Sequence, residues 1–295
     1  MRCACFKGFI LLVLVLLLPP VSAGAGAEKW SFVAIGDSQH GFPAYLNVLN
    51  KIAELRPDGD PTQPTLDFAV LCGDNTPTAQ SYAAFRQALG PPPPFLFPVR
   101  GNHENREDME FILNDILAPM GQLVRSPAGN SVTYSMDWKN VRLIVLDPYS
   151  AHGSVFKGAL SLKWLRTALD TPPSIDHIFL AMHEPVFLNL LSHWKLWRVL
   201  LDHRERVRGV FAAHTHVYHH ERYPQEVDGI DLIHVGNAGS IRHSDYKQTI
   251  VRVSVEGRRA AFEVYQSSSH RSRDFTLREC WESGPEVGSR VRALR

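Results

Sequence analysis

Five short polar segments carry residue types that bind divalent cations: Gly36-Asp37-Ser38-Gln39-His40, Gly73-Asp74-Asn75, Gly101-Asn102-His103-Glu104, Met182-His183-Glu184-Pro185 and Ala213-His214-Thr215-His216. Carboxylates bridge and neutralise cations, neutral imidazoles fill the remaining positions, and an asparagine supplies a carbonyl oxygen. Two such ions about 3.5–4 Å apart can hold a hydroxide nucleophile and stabilise an in-line displacement at phosphorus. No one segment is diagnostic. The ordered set is, and the His-x-His run is its most informative member. Other hydrolytic signatures are absent: there is no G-x-S-x-G elbow, no H-E-x-x-H run and no phosphate-binding G-x-x-x-x-G-K-[ST] loop.

Such residues need elements that end where the chemistry is. Each segment follows an apolar run that reads as a strand: Trp30–Ile35, Leu66–Cys72, Phe95–Val99, His177–Met182 and Val207–Ala212. Open α/β sheets place ligands just past strand ends, which is where the five segments fall. Helical spacing appears after Pro43, over Ala79–Leu89, Glu107–Leu117, Leu160–Leu169 and Trp194–Leu201, with Trp194 and Trp197 expected to pack that last helix into the core. Ser131–Trp138 alternates, Lys139-Asn140 is a turn, and Gly257 turns a hairpin between Thr249–Val255 and Ala260–Val264. Alternating strands and helices predict one α/β domain over residues 28–265. Residues 266–295 read as an irregular tail, and His219-His220 as the exposed face of a turn.

Composition narrows the class. In 295 residues, 44% hydrophobic and 21% charged, the chain can bury a core and is not disordered. Lys+Arg 31 against Asp+Glu 30 excludes nucleic-acid binding driven by net charge. Arg2 and Lys7, the apolar run Phe9–Leu18 and Ala25-Gly26-Ala27 predict a signal peptide over residues 1–27, hence a secreted or periplasmic protein. The run is too short for a stable transmembrane anchor, which needs roughly 20 apolar residues. Cys72 and Cys280 would survive cleavage and could pair, although Cys72 ends an apolar run and reads as a buried small hydrophobe.

The ordered motifs resemble those of the calcineurin-like metallophosphoesterase superfamily, over about Trp30 to Tyr265. The resemblance implies two mixed β-sheets packed face to face with flanking helices, and a centre of two divalent metal ions, zinc, manganese or iron. It implies that Asp37 and His216 bind the first metal, that Asp74 bridges, and that Asn102, His183 and His214 bind the second. His103 would face a small phosphorylated substrate, as a phosphate contact or as the acid for the leaving oxygen. The implied activity is hydrolysis of a phosphate ester; the alternative is a metal-binding module of the same fold without turnover. Three positions depart from the pattern. Ala213 replaces a glycine, Pro77 replaces a further aspartate, and Gln39 stands where the first loop usually has histidine, with His40 one residue later. Gln39 is expected to face the first metal and His40 the pocket mouth. Arg242 and His243, after Gly239-Ser240, could touch a substrate phosphate.

Overall fold

The computed structural model describes residues 28–55, 66–90, 94–125, 132–147, 149, 162–184, 190–224, 229–241, 247–284 and 287–293. The segment read as a signal peptide, together with Arg242 and His243, lies outside them.

Two seven-stranded mixed sheets face each other. The first has the order β14 (Val287–Ala293), β13 (Phe275–Gly284), β12 (Arg259–Ser267), β11 (Thr249–Glu256), β1 (Lys29–Ile35), β2 (Phe68–Leu71) and β3 (Phe95–Pro98). The second has the order β4 (Val124–Arg125), β5 (Tyr134–Trp138), β6 (Val141–Val145), β7 (His177–Ala181), β8 (Val207–Ala212), β10 (Ile230–Val235) and β9 (Tyr218–Tyr223). Within the first, β1, β2 and β3 run parallel; within the second, β6, β7, β8 and β10 do. Parallel neighbours end on the same side, so the loops after β1, β2 and β3 form one rim and those after β7 and β8 another.

Aromatic contacts lock the sheets together. Phe32 of β1 stacks on Phe68 of β2 at 4.6 Å and meets Phe179 of β7 edge-on at 5.1 Å across the sandwich. All three are fully buried, each worth about 1.5–3 kcal/mol in removed apolar surface. Outside the first sheet lie α1 (Phe42–Glu54) and α2 (Thr78–Leu89), burying Tyr45, Leu49 and Phe85 against it. Between β3 and β4 comes α3 (Arg106–Phe111). Outside the second sheet lie α4 (Leu162–Leu169) and α5 (Leu190–Leu201), burying Leu165, Trp197 and Leu200.

The fold revises four expectations. The segment expected to be an irregular tail instead carries β13 and β14, which extend the first sheet, and Trp281 of β13 stacks on Phe262 at 4.6 Å. His219 and His220 sit in β9, paired with β10, and His220 is enclosed between Asp231, Glu279 and the Trp281 ring. Trp194 is 57% exposed while Trp197 is buried, because the inward face of α5 is carried by Leu196, Trp197, Val199 and Leu200. The helix expected over Glu107–Leu117 starts at Arg106 and changes to π pitch over Ile112–Leu117. Cys72 is buried and Cys280 half-buried, and no disulfide joins them. Among the described residues no helix is long and apolar enough to cross a membrane.

Candidate metal centre

The loops after β1, β2, β3, β7 and β8 converge at one end of the sandwich. The backbone there is unusual. Asp37, His40, Asp74, His214 and His216 have φ of 56, 61, 55, 69 and 60°, and among the described non-glycine residues only Lys139, in the β5–β6 turn, joins them in left-handed geometry. Each such residue costs on the order of 1–3 kcal/mol, and Asp and His tolerate it better than most. At Asp37, Asp74 and His216 this geometry accompanies buried side chains, whereas His40 and His214 stay exposed.

Glycines make room for this. Gly73 has φ +91°, and a Cβ there would stand 2.6 Å from His183 Nδ1. A Cβ on Gly36 would stand 2.7 Å from that of Ala213, so β1 of one sheet and β8 of the other approach as closely as a glycine allows.

Ligand-type atoms gather in two groups, one of Asp74, His183 and His214, the other of Asp37, Asp74 and His216, with the atoms of each group within 4.8 Å of one another. Asp74 belongs to both. Its Oδ2 lies 3.4 Å from His183 Nε2, and its Oδ1 accepts the His103 backbone N–H at 2.8 Å. Asn102 Oδ1 lies 3.1 Å from both His183 Nε2 and His214 Nδ1. His183 Nδ1 faces the Cys72 carbonyl at 2.8 Å, which leaves Nε2 toward the cluster. On the other side, His216 Nε2 is 3.6 Å from Asp37 Oδ1.

Asp37 is fully buried and neither carboxylate oxygen accepts a hydrogen bond from a described residue. The His214 backbone N–H helps to hold its charge without reaching hydrogen-bond geometry, and burial, with Asp74 and Glu104 nearby, raises its pKa well above the usual range. Burial also opposes ionisation of Asp74, but the His183 hydrogen bond and charge, with His103, outweigh it and hold Asp74 low. Burial alone would lower the His183 pKa; Asp74 and Asp37 instead raise it to about 9. A buried carboxylate without donors, beside a second carboxylate and three imidazoles, is a donor set suited to divalent cations.

Gln39 is buried and donates Nε2–H to Asp74 Oδ2 at 3.2 Å, while its Oε1 is buried without a hydrogen bond. His40 is exposed. His103 is 25% exposed, with Nε2 3.8 Å from Asp74 Oδ2.

Several supports have no role assigned to them by the sequence, although Glu104 and Glu184 lie within the five polar segments. The Glu104 carboxylate accepts Asn75 N–H at 2.8 Å and Gly101 N–H at 2.7 Å, joining the second and third loops. Asn105 caps α3, accepting from Glu107 and Asp108, and Asp108 in turn accepts Thr76 Oγ–H at 2.7 Å and Thr78 N–H at 2.6 Å. The Asn-x-x-Asp spacing is the signal by which a sequence displays this cap. Arg100 donates to the Tyr149 carbonyl at 2.9 Å and lies 3.8 Å from Asp147, placing Tyr149 beside His183 with ring centroids 6.5 Å apart. Glu184 stands 3.9 Å from His214 Nδ1.

A family model described as calcineurin-like phosphoesterase matches residues 31–218. No curated protein matches the chain. Among solved structures, PhoD superposes with a TM-score of 0.58 at 11% identity, covering 91% of this chain and 72% of that one. GAP50, described as the anchor in the inner membrane complex of Plasmodium, superposes with a TM-score of 0.56 at 11% identity and 90% coverage of each chain. Both share the fold.

Proposed function

The chain belongs to the calcineurin-like phosphoesterase family, and from that premise we propose that it is a metal-dependent phosphoesterase with a dinuclear centre. One observation carries the reading: Asp74 is common to two ligand groups, and the second of them contains the buried, donor-free carboxylate of Asp37. Asp37 and His216, with Gln39, would hold the first cation, and Asn102, His183 and His214 the second, with Asp74 between them. Bound zinc, manganese or iron would supply Lewis acidity to a phosphoryl oxygen and acidify a coordinated water.

The chain's own residues do the rest. The Cys72 carbonyl fixes the His183 ring, and the His103 N–H fixes Asp74, so the ligands are aimed before any substrate arrives. His103, half-buried and beside Asp74, is placed to hold a phosphate oxygen or to give a proton to the leaving oxygen. Burial of Asp37, Gln39 and His183 excludes bulk water from the floor of the site. The leader expected over residues 1–27 would put this activity outside the cytoplasm, on small phosphorylated substrates there.

A second reading, metal binding without turnover, draws support from Gln39, whose amide occupies a lone pair of Asp74. GAP50, which shares the fold, is described as an anchor. Assay of the metal-reconstituted chain against a phosphomonoester, a phosphodiester and a nucleotide pyrophosphate separates the two. Turnover that chelator abolishes and metal restores supports the enzyme. Two tightly bound metals with no turnover on any class would favour the binding module.

A further inference from the structure

We infer that His270 is a positioning residue for Asp37, acting from outside the family-matched segment through residues 237–240. The inference rests on the metal-centre reading above. His270 follows β12 and is 4% exposed. Its Nε2–H donates to the Ser240 carbonyl at 2.8 Å, and Asn237 Nδ2–H donates to the same oxygen at 2.9 Å. Asn237 Oδ1 in turn accepts the Gly239 N–H at 2.7 Å. Two donors on one carbonyl, within a turn closed by its own asparagine, leave that peptide a single orientation.

The fixed turn reaches the first site directly. Ser240 N–H donates to the Asp37 carbonyl at 2.9 Å and Ala238 N–H to the Gly36 carbonyl at 2.7 Å, while Asp37 N–H donates to the Gly73 carbonyl at 3.0 Å. Asp37 depends on these backbone bonds. Its φ is left-handed at 56°, and no described residue donates a hydrogen bond to its carboxylate. Asp74 shares one backbone bond with the Asp37 loop, its carbonyl accepting Gln39 N–H at 3.0 Å, but its carboxylate is held directly, by His103 N–H and Gln39 Nε2–H. Loosening the 237–240 turn therefore acts chiefly on Asp37, while His103 N–H still holds the Asp74 carboxylate toward His183 and His214. The turn before His270 is itself closed, by Ser267 Oγ–H on the Ser269 carbonyl at 2.8 Å and Ser268 N–H on the Asp274 carbonyl at 3.1 Å.

Calorimetric titration with Mn²⁺ or Zn²⁺ tests the inference without reference to turnover. Removing a residue that orients a ligand typically costs 10–100-fold in metal affinity. His270→Ala should weaken one of two metal equivalents by about that factor and leave the other within about twofold. His270→Gln, whose amide N–H can replace Nε2–H, should restore the weakened equivalent. In an Asp37→Ala background, which lacks the first site, His270→Ala should have almost no further effect. Two unchanged equivalents in folded His270→Ala would overturn the inference, as would equal weakening of both, the mark of a general structural role. Fewer than two equivalents in the wild-type chain would overturn the dinuclear reading and this inference with it.

Discussion

Asp74 Oδ2 and His183 Nε2 stand 3.4 Å apart although their strands, β2 and β7, belong to different sheets. The contact exists only because the sandwich closes behind it, where Phe32 of one sheet meets Phe179 of the other at 5.1 Å. The candidate centre is thus a joint product of both sheets, and Asp74 is its shared member.

Replacing that member should affect both ligand groups at once. Asp74→Asn keeps the shape of the side chain but removes the charge that two cations would share. The fold should persist, since the sheets are held by their aromatic core, while most bound metal and activity are lost. Elemental analysis of the purified variant checks this. Two retained metals with near wild-type turnover would remove Asp74 from the bridging position.

His103 should behave differently, because its ring is 25% exposed and its firm bond to Asp74 is through the backbone, which substitution leaves in place. His103→Gln should retain metal and lose about 10²–10⁴-fold in kcat, the range of general acid–base assistance. The loss should shrink for esters with good leaving groups, which need little protonation. An equal loss across leaving groups would assign His103 to phosphate positioning.

A third prediction concerns pH and lies far from the centre. His177, at the start of β7, is fully buried; its Nε2–H donates to the Gly257 carbonyl at 2.9 Å and its Nδ1 accepts from Arg208 Nε at 3.2 Å. Burial, together with the Arg208 charge and against the help of the Gly257 carbonyl, lowers its pKa from 6.5 to about 4. The unfolded chain therefore binds this proton first as pH falls. The stabilisation from a neutral His177 is full above about pH 6.5 and is lost progressively toward pH 4, on the order of 3 kcal/mol in all. Urea unfolding at several pH values should show this slope, and His177→Gln should flatten it. An unchanged slope in that variant would place the acid sensitivity elsewhere.

The loops of the candidate centre are legible in the sequence because metal chemistry restricts residue types and each loop follows a continuous apolar run. The C-terminal strands are not. In β13 only Trp281 is buried, and the other side chains are partly or fully exposed, so an apolar period hardly registers. Its order comes from ladder pairing with β12, a long-range term that local pattern does not encode. His220 escapes a local reading for the same reason, since its partners Asp231 and Glu279 lie on other strands. The supports of Asp37 are equally hidden: His270 is 233 positions beyond it, joined through backbone turns rather than a motif.

The first loop supplies the last prediction. Gln39 is buried with its amide on Asp74 at 3.2 Å, whereas His40, one residue on and with φ 61°, is exposed. A neutral imidazole is a stronger ligand than an amide oxygen, so a first site completed by Gln39 should bind its cation more weakly than the second site does. Gln39→His should then raise first-site affinity, at the cost of the amide hydrogen bond to Asp74. His40→Ala should leave metal content intact and mainly raise KM, because an exposed side chain at the mouth meets substrate before it meets metal. Metal titration and steady-state kinetics on the two variants decide the matter. Loss of one metal equivalent in His40→Ala, with Gln39→His unchanged from wild type, would mean that the loop re-forms around the metal and delivers His40 in place of Gln39.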